Sequence, residues 1–194
     1  MAINLNKGGD EHRFNLVKDA PSVTIHANLD WAKPEKKGFF AKLLSKDIDL
    51  DLGCFYELTD GTKGVIQPLG NSFGSKTQLP YIFLDKDDRS GGLGENMYVY
   101  KPELVRRILF FALLYDGAND FRTVGGHMTF KISNGEEVTL KLDNPASNSK
   151  FCAAAMVENI NGELAIRKEE RYFSGHPDAD KHYGFGFRWV AGSK

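Results

Sequence analysis

Tight-turn dipeptides between short strand-like segments restrict the fold of this chain more than any other feature. Each begins with Asp or Asn, continues with Gly and lies between two apolar segments: Asp60-Gly61, Asn134-Gly135 and Asn161-Gly162. Such pairs adopt the positive φ angles that hairpin turns require. Residues 22–31 alternate between apolar and polar types, which is the period of a half-buried strand. The sequence therefore predicts antiparallel hairpins.

Helical signals are few. Pro102–Arg106 predicts one helical turn that begins at proline, whereas Ile108–Tyr115 is apolar throughout and is typical of a strand buried on both faces. Tyr183–Val190 alternates aromatic and small residues, which predicts a final strand. We therefore predict an all-β, two-sheet β-sandwich with short peripheral helices. The chain of 194 residues can bury a sizeable core, and no linker or repeat divides it, which predicts a single domain over residues 1–194.

The overall charge and the cysteine content limit the classes of function. With 25 Lys and Arg against 26 Asp and Glu, the net charge is −1, so the chain lacks the basic excess of a general nucleic-acid binder. Cys54 and Cys152 each lie in an apolar run, which predicts buried free thiols in a reducing compartment. The first residues lack the apolar core of a signal peptide, and no apolar run has the length of a membrane span. We expect a cytoplasmic protein.

An acidic segment over residues 84–96 is the strongest candidate for a binding site. It combines carboxylates, an amide and glycines: Asp85, Asp87, Asp88, Glu95, Asn96, Gly91, Gly92 and Gly94. Carboxylates this close repel one another unless a cation lies between them, and oxygen ligands on a loop suit Ca²⁺. The alternative is a polar surface turn, because the same residue types form most turns. Arg89 and Ser90 occupy positions that an EF-hand reserves for other residues, and strand-like segments flank the loop, which excludes that motif.

A second set of carboxylates lies on the strand-like segment Asp47–Leu52. Strict alternation places Asp47, Asp49 and Asp51 on one face of this strand. Three carboxylates along one face are unfavourable unless they are solvated, paired with the nearby lysines or bound to a metal. Ca²⁺ takes about six to eight oxygen ligands. Asp49 and Asp51, with Asp116 from a second polar turn, are therefore candidates to complete a site with the acidic segment.

Two further segments carry distinctive charge patterns. Lys33–Lys46 places five lysines around Phe39, Phe40, Leu43 and Leu44. This pattern suits an anionic membrane surface or an acidic partner, and the alternative is a surface helix or loop that packs on its own domain. His176–His182 contains nitrogen and oxygen ligands of the kind found in transition-metal sites. Because Pro177 interrupts helical spacing, we favour a polar loop before the last strand.

The sequence contains none of the common catalytic motifs. There is no Gly-x-Ser-x-Gly elbow, no Gly-x-x-x-x-Gly-Lys-Ser/Thr phosphate loop and no His-Glu-x-x-His. The residues around Cys152 are alanines typical of a core rather than of a nucleophile's site. We therefore expect a protein that is not an enzyme.

Several short motifs together resemble the tellurium-resistance TerD family, and more closely its TerA-type branch. They occur in the family's order and cover nearly the whole chain: Asn4-Leu5-Asn6-Lys7-Gly8-Gly9, Asp49-Leu50-Asp51-Leu52-Gly53, Lys63-Gly64-Val65-Ile66-Gln67-Pro68-Leu69-Gly70-Asn71, Asp87-Asp88-Arg89-Ser90-Gly91, Gly94-Glu95-Asn96, Tyr115-Asp116-Gly117, Tyr172-Phe173-Ser174-Gly175-His176 and Tyr183-Gly184-Phe185-Gly186.

The resemblance implies a β-sandwich that binds Ca²⁺ through acidic loops in a bacterial system of tellurite and stress resistance. It implies assembly with other Ter-family proteins, some of them at the inner membrane. Carried over residue by residue, it places Asp49, Asp51, Asp87, Asp88, Glu95 and Asn96 at the metal. Gly94-Glu95-Asn96 is more compact and carries fewer acidic residues than the corresponding TerD element, and we expect at least one ion. An enzyme or oxyanion-binding protein that uses the metal on a phosphate-type ligand, with Arg89 as an anion contact, is the alternative.

Overall fold

The computed structural model describes residues 2–15, 23–31, 48–85, 94–116, 121, 124–143 and 149–190. Within these residues two six-stranded sheets stack face to face. The front sheet has the order β1 (Ala2–Leu5), β10 (Glu137–Leu142), β9 (Gly126–Ile132), β3 (Ile25–Asp30), β7 (Glu95–Val99) and β6 (Ile82–Leu84). The back sheet has the order β2 (Glu11–Asn15), β12 (Glu163–Phe173), β11 (Phe151–Ile160), β8 (Val105–Asp116), β4 (Asp49–Leu58) and β5 (Lys63–Ile66).

The three Asx-Gly turns form the hairpins that the sequence predicts. The strands on either side of each turn pair in antiparallel fashion, namely β4 with β5, β9 with β10 and β11 with β12. A single turn of 3-10 helix at Pro102–Leu104 confirms the prediction of a short helix that begins at proline. The all-β two-sheet sandwich is therefore confirmed.

The back sheet is the middle layer of the molecule, because both of its faces are covered. Phe110 and Ala112 of β8 belong to the core between the sheets. Leu109 and Phe111, which alternate with them, belong to a second cluster on the outer face. This is why Ile108–Leu114 is apolar without alternation: burial on both faces removes the polar half of the pattern.

Helix α1 (His176–Tyr183) and the tail after it cover this outer face, and both differ from the sequence prediction. Residues 176–183 are helical rather than a polar loop, because Pro177 lies in the first turn, where its missing N–H has no helical partner to lose. Gly184 ends the helix in the left-handed region, with φ of 67°. Residues 185–190 form no strand. Their aromatic side chains pack on the outer cluster instead of presenting a backbone edge to the sheet.

No helix within the described residues is long and apolar enough to cross a membrane. The sequence predicts membrane contact for Lys33–Lys46. This segment lies outside the described residues.

Candidate metal centre

Glu95 links the two sheets at the edge of β4. Its side chain lies on the inner face of β7, with Met97 and Val99. Its Oε2 accepts a hydrogen bond of 2.5 Å from the backbone N–H of Leu52. This N–H is available because β5 pairs with β4 only from Cys54 to Glu57. Glu95 therefore occupies a part of the β4 edge that no strand of the described residues covers.

Gly94 fixes the position of Glu95. Its φ is 70°, and a Cβ atom at this residue would lie 2.3 Å from the carbonyl oxygen of Leu29. A side chain at position 94 would therefore force the start of β7 away from β3. The backbone geometry therefore explains the glycine in the acidic motif, independently of any ligand of the carboxylates.

Asp51 and Asp49 lie on β4 beside this position, on the face opposite to Leu50 and Leu52, which pack in the core between the sheets. Asp51 and Glu95 are each 1% exposed, and Asp49 Oδ1, Asp51 Oδ2 and Glu95 Oε1 are all shielded from solvent. Since Leu52 directly follows Asp51, Glu95 Oε2 lies within about 5 Å of the Asp51 Cα atom. Burial of ionised carboxylates is costly without a compensating charge. These three carboxylates form the acidic edge (Asp49, Asp51 and Glu95), and their oxygens are of the kind that hard cations bind.

Asp85 and Asn96 do not face the acidic edge. Successive strand residues point to opposite faces, so Asn96 projects from the outer face of the front sheet while Glu95 points inward. Asn96 Oδ1 accepts hydrogen bonds from Asn28 Nδ2 at 3.0 Å and from His26 Nε2 at 2.7 Å. Burial raises the pKa of Tyr98, and the charge of Asp85 raises it further. Tyr98 projects from the same outer face as Asn96.

The remaining predicted ligands are only partly described. The backbone of Asp116 lies opposite Asp49 in the β4–β8 pair, and Asp87 and Asp88 lie outside the described residues. Among the residues that the structure does describe, no three His, Cys, Asp or Glu side chains gather as a metal centre would require. A calcium coordination shell would therefore need oxygen ligands beyond the acidic edge.

The second candidate, His176–His182, is a hydrophobic anchor rather than a ligand set. His176 is surrounded by Phe111, Phe151 and Trp189, with ring centroids 5.1–5.2 Å away. Its Nε2 lies 2.7 Å from Gln67 Oε1, which only a protonated Nε2 can satisfy as donor. Desolvation lowers the pKa of His176 to about 4, so the imidazole is neutral at pH 7.

This depressed pKa predicts a pH dependence of stability. The unfolded chain binds the proton at about pH 6.5, so the unfolded state binds more protons than the folded state between pH 6.5 and about 4. Stability is therefore lost as the pH falls through this window, by about 1 kcal/mol at pH 5.5. Urea unfolding of wild type and His176→Gln should show a steeper loss for wild type. His182→Gln, on the exposed side of α1, is the matched control, and equal slopes for wild type and His176→Gln would contradict the prediction.

The two cysteines are buried and free, as the sequence predicts. Desolvation raises the pKa of both thiols well above the ordinary range. Because the thiolate is the reactive form, neither sulfur is placed for nucleophilic or redox chemistry in the folded protein.

An ion-pair cluster around the buried Glu57 lies outside the motifs that the sequence predicts as functional. Glu57 forms ion pairs with Arg106, Arg107 and Lys63 at 2.8–3.7 Å. Burial raises the pKa of Glu57, but the hydrogen bond and charge of Arg107, with the other two cations, bring it below the ordinary value. The Glu57–Arg107 pair was detectable in principle, since both residues interrupt otherwise apolar strand faces.

The fold and the buried carboxylates define the class of the protein as an all-β two-sheet sandwich with acidic side chains at one strand edge. No protein-family model matches the chain. The chain is 34% identical, over 199 aligned residues, to the tellurium resistance protein TerA of an Alcaligenes species. The alignment covers 99% of this chain, which spans 58% of the relative's length. This similarity supports a relationship to the tellurium-resistance proteins.

Proposed function

We propose that the chain is a calcium-binding, non-catalytic interaction module of a bacterial tellurite- and stress-resistance system. The acidic edge carries this proposal. Glu95 of β7 accepts a hydrogen bond from the backbone N–H of Leu52, next to Asp51 on β4, and Asp51 and Glu95 are each 1% exposed. Two buried carboxylates at one edge are stabilised by a divalent cation.

The coordination shell of the proposed ion extends beyond the acidic edge. Asp87 and Asp88 are the candidates in the sequence to supply the further oxygens, since they lie between Asp85 and Gly94 in the chain. Ca²⁺ suits this set better than a transition metal, because every candidate ligand is an oxygen. Calcium would thereby connect the segment that follows β6 in sequence to the edge of β4.

The role in tellurite resistance rests on the similarity to TerA. We propose other Ter-family proteins as partners, and contact of Lys33–Lys46 with the inner membrane. The two buried thiols favour a role in assembly over direct chemistry on tellurite, because a sulfur nucleophile must be an accessible thiolate.

Calcium should stabilise the folded protein. Binding to the native state alone raises the free energy of unfolding by about 2.7 kcal/mol at one hundred times Kd. Thermal unfolding and titration calorimetry with CaCl₂, against MgCl₂ and EDTA, measure this directly. Asp87→Ala combined with Asp88→Ala should abolish the gain and leave the calcium-free protein folded. Absence of both heat and stabilisation at millimolar Ca²⁺ would rule the proposal out.

A metal-assisted enzyme or oxyanion-binding protein is the second candidate, with Arg89 as the anion contact. Hydrolysis of phosphoesters that is lost on chelation and also lost in Arg89→Ala would favour it over the interaction module.

A further inference from the structure

A polar cavity opens on the opposite side of the sandwich from the acidic edge. Its volume is about 440 Å³, and residues of β1, β10 and β12 line it: Asn4, Leu5, Asn6, Thr139, Lys141, Asp143 and Lys168. This volume lies within the range of small-molecule sites, about 300–1,000 Å³. In the back sheet, β12 is three strands away from β4, a separation of about 14 Å.

A buried ion pair lies against this cavity. Lys168 follows Leu164 and Ile166 on the inner face of β12, at a position where an apolar residue would continue the pattern. Its side chain is 2% exposed and that of Glu170 is 7% exposed, and Lys168 Nζ lies 2.8 Å from Glu170 Oε2. Burial of such a pair is costly in desolvation, so it is weak evidence for a purely stabilising role.

The backbone at this pair is strained. The register between β11 and β12 shifts between Ala153 and Ala155, and Glu170 has a positive φ of 46°. Such a conformation is uncommon for a residue other than glycine and costs about 1–3 kcal/mol. β-Bulges often reorient a side chain beside a functional site. Here the bulge lies next to Glu170, which pairs with Lys168.

The hydrogen bonds of the pair leave a donor, rather than an acceptor, for a ligand. Glu170 Oε2 is paired with Lys168, while Oε1 accepts from the Asp143 N–H at 3.0 Å and the Tyr172 hydroxyl at 3.3 Å. An ammonium group has three N–H donors. Within the described residues, Lys168 Nζ donates to Glu170 and to the Asn6 carbonyl oxygen at 3.2 Å. Its third donor is therefore available to an acceptor in the cavity.

We propose that this cavity binds a small oxyanion, of the phosphate or carboxylate type, on Lys168 at its base and Lys141 at its rim. Thr139 and the amides of Asn4 and Asn6 provide neutral polar groups around the anion. Glu170 and Asp143 offset part of the lysine charge, so binding depends on the N–H and O–H donors around the cavity, which favours a small anion with several oxygen acceptors. This site is independent of the proposed calcium site.

Calorimetric titration of the full chain with inorganic phosphate and with acetate, in EDTA, tests the proposal. We expect saturable binding of at least one anion in the millimolar range or tighter, and comparison of the two distinguishes the phosphate type from the carboxylate type. Lys141→Met should weaken binding about threefold to tenfold, because it removes one cation at the rim. Lys131→Met removes the same charge from an exposed position on β9, paired with Glu137 at 4.0 Å, and should leave binding unchanged.

The two members of the buried pair should act in opposite directions. Glu170→Gln keeps an oxygen for the Asp143 N–H but removes the negative charge, so anion binding should become several-fold tighter. Lys168→Met combined with Glu170→Gln should abolish it, and this double variant avoids an uncompensated buried carboxylate. If the double variant does not fold, Lys141→Met and Glu170→Gln still carry the test.

The proposal is overturned if neither anion binds saturably, if Lys131→Met weakens binding as much as Lys141→Met does, or if Glu170→Gln weakens it. Asp51→Asn should leave anion affinity unchanged. Loss of calcium binding in that variant, with anion binding retained, separates the two sites.

Discussion

Glu95→Gln should stabilise the calcium-free protein and remove its stabilisation by calcium. Glu95 is 1% exposed, so in the absence of an ion the loss of its charge removes the desolvation cost of a buried carboxylate. The glutamine oxygen can still accept the hydrogen bond from the Leu52 N–H that Glu95 accepts now. With calcium at about 1,000 times Kd, wild type should gain about 4 kcal/mol and the variant almost none.

Chemical unfolding with and without EDTA measures both parts of this prediction. Glu103→Gln is the matched control, because it removes the same charge from an exposed position in the 3-10 helix. In EDTA the Glu95→Gln protein should be more stable than wild type, and in calcium it should be less stable than wild type. A Glu95→Gln protein that gains as much from calcium as wild type does, or that is less stable in EDTA, would show that Glu95 is a structural cap for Leu52 and not a ligand.

Local turn chemistry made the sheet predictable. Asx-Gly turns fix a hairpin within a few residues, so pairs such as β9 with β10 follow from the sequence. The helix at residues 176–183 could not be recognised by the same means. Pro177 was interpreted as a helix breaker, but its effect depends on position in the helix, and the first turn tolerates it.

The acidic motif shows where a one-dimensional pattern is insufficient. Glu95 and Asn96 are adjacent in the chain, and the motif assigns both to the metal. Their side chains point to opposite faces of β7, and Asn96 Oδ1 is bonded to His26 and Asn28. This separation follows from the period of a strand and could have been anticipated once β7 was taken to begin at Glu95.

The Lys168–Glu170 pair had no usable signal in the sequence. In a regular strand, residues two positions apart share a face. The spacing of Lys168 and Glu170 would therefore equally fit a pair on an exposed surface. Their burial depends on the bulge in β12 and on how the cavity-lining strands β1 and β10 approach from the other sheet. Long-range packing of this kind leaves no local pattern.

Asp180→Ala should have the largest effect of any single substitution on the outer face of the back sheet. Asp180 is 5% exposed. Its carboxylate accepts hydrogen bonds from the Gly186 and Phe187 N–H groups, both at 2.8 Å, and from Trp189 Nε1 at 2.9 Å. One side chain on α1 therefore holds the tail that covers the aromatic cluster.

Loss of these contacts should cost about 3–5 kcal/mol, because hydrogen bonds to a charged group contribute about 1.5–3 kcal/mol each and do not add fully. Urea unfolding measures the cost. Trypsin cleavage after the exposed Arg188 and a red shift of tryptophan emission report release of the tail. Asp178→Ala is the control in the same helix, because it removes an exposed carboxylate that is hydrogen-bonded to the Ser174 hydroxyl and not to the tail. If the two variants unfold alike and resist trypsin alike, the aromatic side chains hold the tail without Asp180. If Asp180→Ala loses more stability and is cleaved faster, the carboxylate, rather than ring packing, sets the position of residues 186–189.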